Sequence, residues 1–302
     1  MQENIDFMTA TMLAALAIIW GGSFFFAEIA LRELPPMTIT LHRVFWALPI
    51  LIFVIWAKGI TPPKSLKIWG AYLTMGALNN ALPFSLIVWG QTQITSGLAS
   101  ILNGATGVTG VIVAGLFLSD ERLTTTKLIG VVVGFFGVAL TVGIEALQNF
   151  DLRSLAQMAI LLAGLSYSIA GVWAKLRLSG QKPEMNALGM LLCSTVIMCP
   201  LALYIDGTPQ FDLQISTWSA LLALAVICTS LSYLLYFNIL NRAGSGNLML
   251  VTLLIPPFAI TLGVLVLGES LAPISLVGFA FIALGLIIID GRVIRLLQRS
   301  FL

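Results

Sequence analysis

Charge is the scarcest thing in this sequence. Asp, Glu, Lys and Arg make up only 9% of its 302 residues, where a soluble domain carries roughly 25%. Hydrophobic residues make up 59% and the mean hydropathy is +1.02, so water cannot be the main solvent of the folded chain. There is one histidine, His42, and no grouping of His, Cys or paired carboxylates at metal-ligand spacing, so no metal site is expected. The three cysteines, Cys193, Cys199 and Cys228, all fall inside apolar runs. That is use as small hydrophobes and not a disulfide framework. No Gly-Lys-Ser/Thr loop is present to hold ATP, and no nucleophile stands with a base as group transfer requires. A net charge of +2 offers no patch for nucleic acid. No catalytic residue, cofactor or nucleic-acid partner is therefore expected.

What the sequence has in quantity is apolar runs of membrane length. A helical span needs about 20 predominantly apolar residues, and in lipid the backbone must satisfy its own hydrogen bonds, which leaves helices or closed barrels. The runs are too long and too uniformly apolar for barrel strands. The pattern predicts an all-α integral membrane protein with ten transmembrane helices, near 8–31, 38–57, 68–90, 97–118, 126–145, 155–174, 186–205, 218–240, 247–267 and 272–290. The first run follows an acidic start, MQENID, with no basic segment before it, so it reads as a span and not as a cleaved signal. Lys and Arg set the orientation. With the N-terminus inside, twelve of the fifteen basic residues fall on inner links or the C-terminal tail, and only Arg32, Arg43 and Arg153 lie on or near the outer side. Both termini are expected in the cytoplasm, and a bacterial inner membrane is the expected setting.

The chain also repeats itself. Ser119 to Gly137, SDERLTTTKLIGVVVGFFG, returns as Gly268 to Gly285, GESLAPISLVGFAFIALG. Counted from Glu121 and Glu269, Leu123 matches Leu271, Leu128 matches Leu276, Gly130 matches Gly278 and Gly137 matches Gly285. The copies lie about half a chain apart, so this is a duplication, with repeats expected over 1–150 and 151–302. Five spans per repeat is an odd number, which turns the second repeat upside down in the membrane. Inverted repeats of this kind go with alternating access around a site near the bilayer midplane.

These features, in this order, resemble the EamA-type transporters of the drug/metabolite transporter superfamily. The resemblance rests on Trp20-Gly21, on Leu34-Pro35-Pro36 followed by His42-Arg43, and on Ser96-Gly97-Leu98-Ala99. It rests further on Tyr233 to Gly244 (YLLYFNILNRAG), Pro256 and both glutamate hairpins. It implies two inverted five-helix halves and passage of small metabolites, often amino acids or drug-like solutes, usually outward.

Polar residues inside apolar spans mark the candidate site, because an unpaired polar group in hydrocarbon is unfavourable. Glu28, sharing a helix face with Gly21 and Phe24, is a candidate group for a cation or proton; its rival role is an ion pair with Arg32 at the membrane edge. Arg43 is read as its structural counter-charge, and His42 as a gating or interfacial residue. Asn79, Asn80 and Phe84 in the third span, Asn103 in the fourth, and Tyr233 and Phe237 in the eighth are candidate cavity walls. Trp20 and Tyr167 hold equivalent places in the two halves and suit apolar or cationic solutes. Glu121 and Glu269 read as hairpin caps or gates, with Glu269 near the start of the last helix. Gly107 and Pro256 are candidate hinges.

The resulting expectation is a secondary transporter that moves a small amphipathic metabolite, an amino acid or related solute, outward by alternating access. The alternative is a multidrug or quaternary-cation exporter that uses Glu28. Expected partners are the solute, the lipid bilayer and protons as a candidate coupling ion, in a monomer or homodimer.

Overall fold

The computed structural model describes residues 7–119, 123–142, 152–236, 238–239 and 251–290. Among the described residues every regular element is a helix and there is no strand. In chain order they are α1 (Phe7–Ala30), α2 (Pro36–Ala57), α3 (Leu66–Gln91), α4 (Ser96–Phe117), α5 (Thr125–Val142), α6 (Leu152–Arg177), α7 (Pro183–Ile205), α8 (Ile215–Tyr236), α9 (Val251–Leu267) and α10 (Pro273–Asp290). Seven stretches, in α1 to α4 and α6 to α8, are long and apolar enough to cross a membrane. Those in α5, α9 and α10 are as apolar in character but shorter. Large side chains such as Phe53, Trp56, Leu116, Val132, Val196 and Leu265 stand exposed on the outside, which lipid tolerates and water does not. The protein is a multi-pass membrane protein.

Local sequence starts and interrupts these helices. Pro36, Pro183 and Pro273 begin α2, α7 and α10, where a missing N–H costs nothing. The Thr95 hydroxyl caps α4 by accepting from the Leu98 N–H at 3.3 Å. α2 breaks at Trp46–Ala47, and α4 breaks at Ala105 between Gly104 and Thr106. The break in α4 thus falls two residues before the expected hinge, Gly107. A Cβ on Gly107 would run into Leu286 of α10, so Gly107 serves close packing. Pro256 does not break its helix: α9 runs continuously through Pro256 and Pro257, and the Pro256 ring sits against Gly104.

Two helices widen into π turns. In α3 the π segment is Ala77–Ala81, and in α8 it is Ala223–Leu231. Both are the third helix of their half of the sequence. Such segments are rare and gather at functional sites. Side chains take up the carbonyls that the wider register displaces: Thr229 Oγ1 donates to Leu224 O at 2.8 Å, Ser230 Oγ donates to Ala225 O at 3.1 Å, and Ser166 Oγ of α6 reaches Leu78 O at 2.6 Å.

The repeated glycines meet each other. α5 and α10 cross so closely that a Cβ on Gly130 would lie 2.6 Å from Gly285 O, and a Cβ on Gly137 would lie 2.6 Å from Gly278 O. The pairing runs antiparallel, the early glycine of one helix on the late glycine of the other. α1 packs on α9 in the same manner, with Gly21 against Ile255 O and the Phe258 Cβ. Gly76 of α3 packs on Met190 O of α7. Small residues are what let helix backbones approach in lipid, where no hydrophobic force drives them together.

Candidate functional site

The polar residues of α3 and α8 come together at the π turns. Asn79 Nδ2 donates to Tyr233 Oη at 2.9 Å, and Tyr233 Oη donates to Asn80 Oδ1 at 2.6 Å. Asn80 is fully buried, and its Nδ2 donates to Ser194 Oγ of α7 at 3.0 Å. Ser194 in turn donates to Met190 O at 2.6 Å. In an α-helix adjacent side chains diverge; the widened turn is what lets Asn79 and Asn80 both reach one phenol. Burial of Asn80 and half-burial of Asn79 are tolerated because each amide finds partners.

Arg43 of α2 lies next to this seam. Its Nε donates to Thr229 Oγ1 of α8 at 3.0 Å, and its guanidinium carbon stands 3.8 Å from the centre of the Phe84 ring. Tyr167, Tyr233 and Cys228 are within its electrostatic reach. Six of the expected site residues, Arg43, Asn79, Asn80, Phe84, Tyr167 and Tyr233, are therefore gathered in one region. Thr229 and Ser194 belong with them. Thr229 was visible as a hydroxyl in an apolar span; Ser194 carried no signal beyond that.

Other expected residues lie elsewhere. Glu28 does not pair with Arg43: its Oε2 accepts from Gln91 Nε2 at 3.3 Å, and its other charged neighbours are Glu269 and Arg32. Among the described residues the single ion pair is Lys58–Glu184, so the Glu28–Arg32 pair is not formed either. The reason is azimuth. Glu28 faces the α3 end, whereas Arg43 turns toward α8. Phe24 is core, with its carbonyl accepting from Gln91 Nε2 at 2.8 Å. Trp20 packs on Tyr236, ring centres 6.0 Å apart. His42 is held in an aromatic group with Trp46, Phe211 and Trp218, its Nδ1 accepting from Trp46 Nε1 at 2.9 Å. Asn103 stands beside the break in α4, its Oδ1 buried and without a partner. Glu121 and Phe237 lie outside the described residues.

Glu269 does not cap its own helix. It caps α4, accepting from the Ser96 N–H at 2.8 Å and the Gly97 N–H at 3.1 Å. Two more carboxylates do the same at this end of the molecule. Asp206, at the end of α7, accepts from the Thr38 N–H at 2.7 Å and from its hydroxyl at 2.9 Å, at the start of α2. Glu33, between α1 and α2, accepts from the Gln214 N–H at 3.1 Å and from the Thr217 hydroxyl at the start of α8. A helix start presents unsatisfied N–H groups and a positive dipole end, and a carboxylate answers both. Each of the three contacts joins the first half of the chain to the second. We call this the acidic end. The opposite, basic end carries Lys58 and Glu184. An apolar groove of about 470 Å³ between α2, α3 and α7, bounded by Met37, Ala81, Trp89 and Leu201 among others, holds no charged side chain.

The described helices, with a π turn in the third of each half and a polar seam between α3, α7 and α8, are those of a multi-pass membrane protein. The family follows from comparison with known proteins. The EamA-like transporter family matches twice, over residues 7–143 and 154–290, and the chain belongs to it, within the drug/metabolite transporter superfamily. It is similar to an uncharacterised transporter of Archaeoglobus fulgidus, 26% identical over 87% of this chain and 90% of that one. It is 25% identical to a probable amino-acid metabolite efflux pump of Escherichia coli, over 90% of this chain and 91% of that protein. One solved crystal structure, 15% identical, superposes over 93% of this chain and 97% of its own with a TM-score of 0.67, so the fold is shared.

Proposed function

We propose that this protein is a secondary transporter that exports a small amphipathic metabolite, an amino acid or a close relative. Two five-helix repeats, residues 1–150 and 151–302 in inverted orientation and ten spans in all, rock about a central site. The observation that carries this reading is the polar seam at the π turns. Asn79 and Asn80 on α3 meet Tyr233 on α8, and the meeting point lies between the halves, where a rocking motion would expose it to either side. The antiparallel glycine contacts of α5 on α10 support the inverted arrangement. The similarity to a probable amino-acid metabolite efflux pump of Escherichia coli supports the solute class. On the positive-inside rule the basic end is the cytoplasmic one, and three carboxylate contacts join the halves at the other end.

The cation-exporter alternative gains less support. Glu28 is engaged by Gln91 at the acidic end, next to a second carboxylate, Glu269, and away from the seam. The test is counterflow: purified protein in liposomes loaded with unlabelled amino acids, with uptake of the radiolabelled form measured outside. Saturable uptake that is lost in Asn80→Leu is the expected result. Uptake of quaternary amines but of no amino acid would move the reading to the alternative.

A further inference from the structure

Two helix contacts of the same kind hold the seam, and they differ in one respect. Where α7 meets α3, a side chain of the second helix of one half bonds to the third helix of the other: Ser194 with Asn80. Where α2 meets α8, the contact is Arg43 with Thr229. The first contact uses a neutral hydroxyl that is fully bonded. The second uses a cation.

The charge is also uncompensated. Arg43 is 8% exposed, and a buried guanidinium is costly unless an anion faces it. Among the described residues no carboxylate pairs with Arg43: Glu28 bonds Gln91, Glu33 the start of α8, Asp206 the start of α2, Glu269 the start of α4 and Glu184 Lys58. The side chains in contact with Arg43 are Thr229 and Phe84, and neither is an anion. Nε is taken by Thr229 and one face of the plane by Phe84. Neither Nη atom has an acceptor among the described residues. A guanidinium centred 3.8 Å over a ring, with no acceptor on its terminal nitrogens, can receive a carboxylate through two parallel bonds.

We propose that the transported solute carries a carboxylate and that Arg43, stacked on Phe84, is the group that receives it. This rests on the transporter reading above and names the chemistry of its solute. It replaces the expected role of Arg43 as counter-charge to Glu28. The Asn79, Asn80 and Tyr233 cluster, neutral and rich in hydrogen-bonding groups, then holds the polar remainder of the solute.

The test uses the purified full chain and probes that differ only in the acid group: leucine, phenylalanine, threonine and lysine, each against its amide and its decarboxylated amine. Binding is read from the shift in melting temperature, which follows mass action. The acids are expected to raise it and the amides and amines to leave it unchanged. Arg43→Gln is expected to weaken acid binding by about thirtyfold or more, the usual effect of truncating one partner of a buried charge pair. Arg43→Lys, which keeps the charge and loses the fork, is expected to weaken it less. Phe84→Leu, which keeps the cation, is expected to weaken binding while preserving the preference for acid over amide. Equal shifts from acids and amides, unchanged acid binding by Arg43→Gln, or no binding by any acid would overturn the proposal. Acid binding of the expected pattern without saturable flux in liposomes would sink the transporter reading and leave the assignment of Arg43 standing.

Discussion

The two ends of this molecule are built differently. At the acidic end three carboxylates, Glu33, Asp206 and Glu269, each cross from one half of the chain to the start of a helix in the other. At the basic end the contact between halves among charged, described residues is one ion pair, Lys58–Glu184, in which Lys58 is 57% exposed. A carboxylate on a helix start gains backbone N–H bonds and a dipole together. An exposed ion pair is screened and held by two flexible side chains, so it contributes little. The difference teaches that closure is not spread evenly through the bundle. Among the described residues, the carboxylate contacts on helix starts that join the halves are gathered at one end.

The largest effect should come from removing all three carboxylate contacts. Glu33→Gln, Asp206→Asn and Glu269→Gln together are expected to cost about 3 kcal/mol, taking about 1 kcal/mol for each cap, and to open the acidic end. The readout is labelling of a cysteine at Asn103 by a membrane-impermeant thiol reagent, in a background without the three native cysteines. No rise in labelling from the acidic side would break the comparison. Next in size is the seam itself. Tyr233→Phe leaves Asn79 and Asn80 short of partners inside the bundle and is expected to cost about 1–3 kcal/mol, with loss of flux; thermal unfolding and counterflow check it. Asp206→Asn alone is expected to cost about 1 kcal/mol, seen as a lower melting temperature and faster exchange of the Thr38 amide. The smallest change is Lys58→Gln, expected within about 0.5 kcal/mol of wild type. A cost equal to that of Asp206→Asn would erase the distinction between the ends.

How far the sequence carried the reading varies from residue to residue. The apolar helices were legible, seven of them long enough to cross a membrane, because a long run of apolar residues permits little else. The convergence of Asn79 and Asn80 with Tyr233 was legible in part, since buried amides must find partners and the equivalent helix offered hydroxyls. The π turns were not legible, because a change of hydrogen-bond register leaves no mark in composition. Glu28 and Arg43 were matched by charge and depth, but sequence gives depth along a helix far better than direction around it. Glu28 turned to Gln91 and Arg43 to Thr229. Glu269 was read as the cap of the helix that follows it, the local choice; the structure gives it to α4, which only the packing of the two halves could bring near. Gly107 was read as a hinge from its freedom, yet its lack of a side chain is used to admit Leu286.

The central claim is that transport requires the acidic end to part. Cysteines at Thr38 and Asp206, bridged by a short reducible cross-linker, would hold that end shut in an otherwise cysteine-free protein. Counterflow of radiolabelled amino acids would be measured before bridging, after bridging and after reduction. The account predicts that flux stops when the bridge is made and returns when it is broken. Flux that continues unchanged through the bridged protein would contradict it.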